Sequence, residues 1–566
     1  MSFVRKNPAL VTGLLIAAAL TVYMNIPWLK VALATPGYSP VNMGTVDEDR
    51  AYYLSRIKQA ASGRWLIGNS ALYEHRSDIS PNGFIEDLTA AIMRISGLSL
   101  GSATTLTGFL FPFLILALTF FWMNRILKSP LLTAVSLLTV WISVFGTTGL
   151  LRESSPKANL VFFSVYLAVL FGLSPGRLQK ILRGCLIGIM MYSYHYHWTL
   201  LMAFEGLLVL RLLLLEHKTF HEVVLESLWV WVPLVLIAIP YGARLVSLQG
   251  NPVAAEMWRH FGMIETRLPA APVLQIATVC WIAALFTLRL IGQQRDRESL
   301  LLLLLLIAGL IAVNSNIITG REAEFEGHYG RIIRMFTWTT LFLSLGTLLP
   351  KRWIRPVAAI VIVVIGLNAA VMLSASIKAS AEDQKKWLAS GKQPVFDWIK
   401  SNTKKDSVIL APYTLSSLIP VYTDDFVFMN YAARSFLVSD QELLERYLVQ
   451  TAFFPEDSES IDTGVQSVFG NFPGSTYSKT KRIWQILTLF RKPFDKTIAD
   501  FIPDQTKRRI LENSLRSPDI NELKTVMQKY RLDYLITNDP LPRLLSRNFQ
   551  KTATIGAYTV YQPMFH

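Results

Sequence analysis

The chain has 566 residues, 52% of them hydrophobic and 17% charged, with a formal net charge of +15 and a mean hydropathy of +0.36. That balance excludes an ordinary soluble enzyme and indicates a polytopic membrane protein. The two cysteines, Cys185 and Cys280, both lie in apolar runs, so no disulfide framework is expected.

Long apolar runs continue to about Ser376, and charges and turn residues become frequent after it. The shift predicts a transmembrane domain over 1–378, with a first outward loop at 29–103, followed by a soluble α/β domain over 379–566. The start, "MSFVRKNPALVTGLLIAAALTVYMNIPWL", joins a basic end to a long apolar core. A cleaved signal peptide has a shorter core, and the loosely site-like "ALATPG" lies late, so the segment reads as an uncleaved first span. Runs of about 20 apolar residues are long enough to cross a bilayer as helices. They predict spans near 8–28, 104–126, 130–149, 157–174, 179–195, 197–215, 224–241, 271–291, 299–317, 332–350 and 354–375, about eleven in all.

Lysine and arginine set orientation, because cytoplasmic loops hold their excess. With the N-terminus inside, alternate loops carry Arg5 and Lys6; Arg125 and Lys128; Arg177, Lys180 and Arg183; Lys218; Arg289, Arg295 and Arg297; and Lys351, Arg352 and Arg355. The alternation accounts for the basic net charge without nucleic-acid binding. It places the N-terminus in the cytoplasm and the C-terminal domain outside the cell membrane, in the periplasm if the cell is Gram-negative. The unusual polar residues then gather on the outward side, at 29–103, 150–159, 192–198, 242–270 and 314–334.

Within the first outward loop, "VDEDRAYYLSRIKQAASGRWLIGN" begins with three acids, Asp47, Glu48 and Asp49. Tyr53, Ile57 and Ala61 recur every fourth residue beside Leu54, with Asp49, Arg56 and Gln59 off that face. The spacing predicts an amphipathic helix in the interface plane, its aromatic face toward lipid headgroups. Acids at a helix N-terminus are also explained by plain capping. "LLRESSPKAN" adds Arg152, Glu153 and Lys157. "YSYHYHWTLL" holds His195 and His197 among aromatics of the kind that belt membrane interfaces. Ionisable groups at that depth tend to be functional, but two residues apart they do not share a helical face.

"GREAEFEGHYGRIIR" crowds Arg321, Glu322, Glu324, Glu326, His328, Arg331 and Arg334 together. An ion-paired loop is one reading. Arg331 and Arg334, three apart at the start of an apolar span, also suit a phosphate, because guanidinium forks match its oxygens. Asp47 and Asp49, with a histidine, offer hard ligands for a divalent ion such as Mg or Mn. No GxxxxGK, HExxH or GxSxG stands in a suitable context.

One span, an outward loop opening on Asp47-Glu48, then Tyr52 or Tyr53 and the turn Gly63-Arg64-Trp65-Leu66 resemble the GT-C superfamily of membrane glycosyltransferases, such as protein mannosyltransferases and aminoarabinose transferases. The resemblance covers the membrane domain. It implies transfer of a sugar from a polyprenyl-phosphate or polyprenyl-diphosphate donor, on the outer face, to a glycan, lipid or protein acceptor. It also implies Asp47 as base or metal-positioning acid, supported by Glu48 and Asp49, and Arg331, Arg334 and His328 on the lipid phosphate. Tyr53, His195, His197, Glu326 and Lys157 complete the expected substrate contacts.

In the tail, "PVFDWIKSNT", "ELLERYLVQTAF" and "NELKTVMQKYRL" read as helices. "SVILAPY", "FVFMN", "DYLITND" and "YTVYQ" read as strands. Asp424-Asp425 and Asn538-Asp539 read as turn residues. Two other functional classes fit the sequence: a transporter or flippase of lipid-linked saccharides, and a non-enzymatic envelope assembly protein. A polymer ligase working through His328 or Arg331 is a close enzymatic relative of the transferase.

Overall fold

The computed structural model describes residues 8–64, 67–78, 83–146, 158–267, 269, 272–292, 296–322, 327–455, 472–488, 491–501, 520–541 and 546–565. Its elements are a long helical bundle and a small mixed sheet. In chain order the main helices are α1 (Pro8–Ala34), α2 (Glu48–Ala61), α3 (Phe84–Ser96), α4 (Leu100–Leu127), α5 (Pro130–Val140), α6 (Leu160–Gly172), α7 (Arg177–Met191) and α8 (His195–Leu214). They continue with α9 (Phe220–Gln249), α10 (Pro252–His260), α11 (Pro272–Leu290), α12 (Arg297–Val313), α13 (Gly327–Leu348), α14 (Lys351–Ala389), α15 (Lys392–Asn402), α16 (Asp440–Phe453) and α17 (Ile520–Lys529).

Among the described residues, each of the predicted apolar runs overlaps a helix of this series. Among the described residues six helices are long and apolar enough to cross a membrane, and the apolar segments at 130–145, 160–172 and 274–290 are shorter. The chain is a multi-pass helical membrane protein with a C-terminal sheet domain.

Close approach holds the bundle together. A Cβ on Gly13 of α1 would fall 2.4 Å from the Phe120 ring of α4, so only glycine lets these helices meet there. Asn25, fully buried in α1, donates to Thr21 O at 2.7 Å and to Gly108 O of α4 at 3.3 Å, a polar bond between helices where water is absent. Large side chains such as Trp122, Phe163 and Phe336 fill the centre and are fully buried.

α14 runs unbroken for 39 residues out of the bundle, straight through position 378. The sheet beyond it contains β3 (Val408–Leu410), β4 (Phe426–Val427), β5 (Tyr534–Thr537), β6 (Phe549–Ile555) and β7 (Tyr558–Pro563). Upstream, β1 (Ile264–Glu265) and β2 (Arg321–Glu322) form a separate short pair. The large sheet has the order β4-β3-β5-β7-β6, parallel at β4-β3-β5 and antiparallel at β5-β7-β6. Helices connect the parallel strands, as parallel pairing requires. Asp425 takes the expected turn role: its carboxylate accepts from Ser407 N at 3.0 Å and Thr403 Oγ1 at 2.8 Å.

The described part of the segment at 29–103, expected as the first outward loop, is built into this domain. Val41, Leu54, Ile57 and Ile67 share a core with Val395, Ile409 and Val560, and Leu72 packs with Phe428 and Leu444. Val427 N donates to Ala71 O at 2.8 Å, so the loop continues the backbone bonding beyond β4. The interface-plane expectation for α2 is therefore corrected. Arg56 and Gln59, placed off the apolar face by periodicity, are buried because α3 and the C-terminal domain cover the helix from different sides.

Candidate active site

Asp47 has extended backbone (φ −97°, ψ 104°) and starts α2, its carboxylate accepting from Arg50 N at 3.2 Å. This is an N-cap, and Glu48 and Asp49 follow in the first turn, both exposed. Three adjacent acids are tolerable there because the helix dipole is positive at that end. Capping is thus realised, and it fixes the charged groups in place. Behind them, α2 leaves its last turn through Gly63, whose left-handed φ of +103° suits glycine. Trp65 and Leu66 lie outside the described residues.

One turn along, Tyr53 packs edge-on to Tyr52 with ring centroids 5.2 Å apart. Burial, then the nearby Tyr52, Glu86 and Asp49, push its hydroxyl well above the ordinary range, so it stays a neutral donor. Arg56 Nε donates to Glu86 Oε1 at 2.9 Å, and Arg56 Nη1 donates to the Tyr52 hydroxyl at 2.9 Å. This ion pair ties α2 to α3. A Cβ on Gly83 would lie 2.9 Å from both Arg56 Nη2 and Ile67 Cδ1, which explains the glycine where α3 begins.

Asp87, next to Glu86, escaped the sequence reading. Its Oδ1 is buried with no hydrogen-bond partner among the described residues. Burial first, and Glu86 second, push this carboxyl up to about 7 against the pull of Arg56. A carboxyl that changes charge near neutral pH is suited to moving protons. The only sequence signal was the adjacent acid pair in "GFIEDLTAA"; the desolvation comes from tertiary packing.

Contacts lead from α3 to the aromatic cluster. Gly83 N and Phe84 N donate to Tyr192 O at 3.0 and 3.1 Å. Tyr194 stands edge-on to His197 at 4.8 Å and beside His328 at 5.6 Å; Tyr196 packs on His328 at 5.0 Å and on Tyr329 at 4.9 Å. The two histidines diverge as their spacing demands: His197 is buried against Phe163, whereas His195 packs edge-on to Trp198. His197 Nδ1 and the Tyr194 hydroxyl are buried without partners among the described residues. Tyr329 is locked by a 2.7 Å bond between its hydroxyl and Thr199 Oγ1, which fixes α13 against α8.

Arg331 lies within electrostatic reach of His197, inside this cluster. Arg334 is exposed and folds back toward Gly330, with its Nη2 3.7 Å from where a Cβ there would sit. The two arginines of the expected pair therefore stand in different surroundings. Glu322 pairs with Lys479 of the C-terminal domain, which realises the ion-paired reading for that part of the loop.

Comparison with solved structures finds two crystal structures of one protein. ArnT from Cupriavidus metallidurans in the apo state covers 97% of both chains at 13% identity with a TM-score of 0.48. The same protein bound to undecaprenyl phosphate covers 97% of both chains at 13% identity with a TM-score of 0.45. No family profile and no curated protein matches the sequence.

Of the expected site residues, Lys157 and Glu326 lie outside the described residues, as do Arg152 and Glu153. No three of His, Cys, Asp and Glu gather into a metal-binding set among the described residues. Asp47, Asp49 and Tyr53 belong to the N-cap and first two turns of α2; His197, His328 and Arg331 form a second group. The two are joined through Glu86, α3 and Tyr192.

Proposed function

We propose that this protein is an integral-membrane glycosyltransferase, moving a sugar from a polyprenyl-phosphate or polyprenyl-diphosphate donor to an acceptor hydroxyl on the extracytoplasmic face. The observation that carries this reading is the linkage of the acid-bearing helix α2, through α3 and Tyr192, to the cluster holding His328 and Arg331. The resemblance of the Asp47-Glu48 segment to the GT-C first loop supports it further.

The chemistry follows from the groups available. The acceptor oxygen attacks the sugar's anomeric carbon while its proton passes to the Asp47 carboxylate. The bond from that carbon to the phosphate oxygen breaks, and the electron pair leaves with the lipid phosphate. Arg331 offsets the charge that develops there, with His328 beside it and Arg334 at the exposed edge. Asp87, poised near neutrality, supplies a second proton-exchanging group in the same segment. Tyr53 and the rings of Tyr194 and Tyr196 offer flat surfaces and hydroxyls for a sugar. His195, half-buried beside Trp198, is assigned to the rim of the same site.

Transport of a lipid-linked saccharide is the second reading, since polar groups do occur deep in the bundle at Arg183 and Glu205. It requires a polar route along α8. Leu200, Leu201 and Phe204, between the two polar ends of that helix, are fully buried in the apolar core. The transferase reading is tested by supplying purified protein in membranes with a panel of polyprenyl-phosphate sugars. Release of lipid phosphate coupled to sugar transfer supports it; donor crossing the bilayer intact would favour transport.

A further inference from the structure

A sizeable cavity lies at the other end of the bundle from the Tyr194–His328 cluster. His195 starts α8 and Arg211 lies 16 residues on, about 24 Å along the helix at 1.5 Å per residue. There α7, α8, α9 and the start of α12 enclose a cavity of about 620 Å³. Six cations line it, Arg177, Lys180, Arg183, Arg211, Lys218 and Arg297, against three carboxylates, Glu205, Glu216 and Glu226.

The carboxylates are already engaged. Glu205 accepts from Arg183 Nη2 at 2.6 Å and from the Tyr166 hydroxyl at 2.5 Å. Glu216 pairs with Arg211 at 2.7 Å, and Glu226 with Lys180 at 2.9 Å and with Lys218. Arg183 is 7% exposed, and its Nε is buried without a partner among the described residues. A buried guanidinium N–H of that kind calls for an acceptor. Arg297, whose Nη2 donates to Leu170 O at 3.1 Å, stands within electrostatic reach of both Arg183 and Arg211. Arg297 has Glu298 within electrostatic reach but no carboxylate bonded to it among the described residues, so with Arg183 and Arg211 it makes a site for an anion, and guanidinium forks fit phosphate.

The walls decide what carries that phosphate. Trp229, Trp231, Leu208 and Leu212 line the apolar side, and Arg177 stacks over the Trp229 ring at 4.9 Å. Outside the mouth, α9 presents Phe220 (75% exposed), Leu225 and Leu228, an apolar surface continuous with the cavity. A charged pocket opening onto an apolar helix face suits a headgroup attached to acyl chains. We propose that this cavity binds the phosphate of an anionic phospholipid, at the end of the bundle remote from the transferase site.

The test is native mass spectrometry of the full-length protein, released from vesicles of phosphatidylglycerol and phosphatidylcholine in equal amounts. Wild type is expected to retain phosphatidylglycerol preferentially, and Arg211→Gln with Arg297→Gln to lose that preference by roughly thirtyfold, given the contribution of each basic group near an anionic lipid. Lys218→Gln, at the solvent-side mouth, is a milder variant should the double one fail to fold, and weakens retention in the same direction. A second arm adds millimolar inorganic phosphate, which is expected to leave the bound lipid in place. Equal retention of the two lipids, or full retention of phosphatidylglycerol by folded variants, overturns the proposal. Displacement by inorganic phosphate overturns the lipid assignment in favour of a small-anion site.

Discussion

Arg56 and Glu86 form an ion pair, Nε to Oε1 at 2.9 Å, with side chains only 1% and 5% exposed. It binds the helix that begins at Asp47 to the helix that begins beside Tyr192, so it positions the two halves of the candidate site. Burial raises the Glu86 carboxyl even though Arg56 pulls it down, the mark of a pair costly to open.

Removing one partner should therefore harm stability more than removing both. Glu86→Gln leaves a buried guanidinium without its counter-charge and is expected to cost about 3 kcal/mol. Arg56→Met with Glu86→Leu should recover most of the loss. Thermal unfolding in detergent measures both, and equal Tm values for the single and double variants would show that the pair is not what joins α2 to α3.

Asp87 predicts a pH dependence of defined sign. Its carboxyl is raised to about 7, so the folded state holds a proton that the unfolded chain gives up near pH 4. Its contribution to stability is greatest below pH 4 and declines as pH rises from there through 7. Asp87→Asn should raise Tm at pH 8 relative to wild type, and by less at pH 5. Identical shifts at the two pH values would remove Asp87 from the titrating groups.

His75 gives a dependence of the same sign in a higher pH window. Burial alone would lower its imidazole, but hydrogen bonds to Asp78 at 2.7 Å and Glu442 at 3.0 Å push it up to about 9. Being raised, it stabilises fully below about pH 6.5 and loses that contribution as pH climbs through 9. Glu442 belongs to α16, so the contact clamps the first loop to the C-terminal domain. Hydrogen exchange at the start of α16 should quicken above pH 9 in wild type, and at all pH values in His75→Gln.

Arg331 and Arg334 are predicted to differ. Arg331→Gln should lower transfer by at least about tenfold, since the arginine lies within electrostatic reach of His197 in the cluster. Arg334→Gln, at an exposed position, should change the rate by less than about threefold. Steady-state rates over donor concentration distinguish them; a larger loss in Arg334→Gln would reverse the assignment.

Much of this architecture was legible in the sequence, and the exceptions have physical causes. Apolar runs mark helices because the bilayer forces backbone bonds to close within each segment. The β-branched runs "SVILAPY" and "DYLITND" likewise mark β3 and β5. β6, "FQKTATI", went unread because it is an edge strand whose residues alternate weakly and stay largely exposed. α2 reads as interfacial only while its partners are unknown: periodicity registers one apolar face, and the C-terminal domain covering it lies over 300 residues away in sequence. Asp87 and Glu205 were missed for a related reason. An acid in a helix looks alike in sequence whether it faces water or a protein interior, and only packing distinguishes the two.

The central claim rests on Asp47 as more than a cap, and two substitutions separate those roles. Asp47→Asn keeps an N-cap side chain and so should hold Tm near wild type, whereas Asp47→Ala loses about 1 kcal/mol. Both remove the base, and sugar transfer from polyprenyl-phosphate donors should fall at least about a hundredfold in both. The measurement to make is transfer by purified wild type and Asp47→Asn in membranes, alongside donor binding. Donor bound without turnover in Asp47→Asn is the predicted result. Wild-type turnover by Asp47→Asn would contradict the account and leave Asp47 a structural cap.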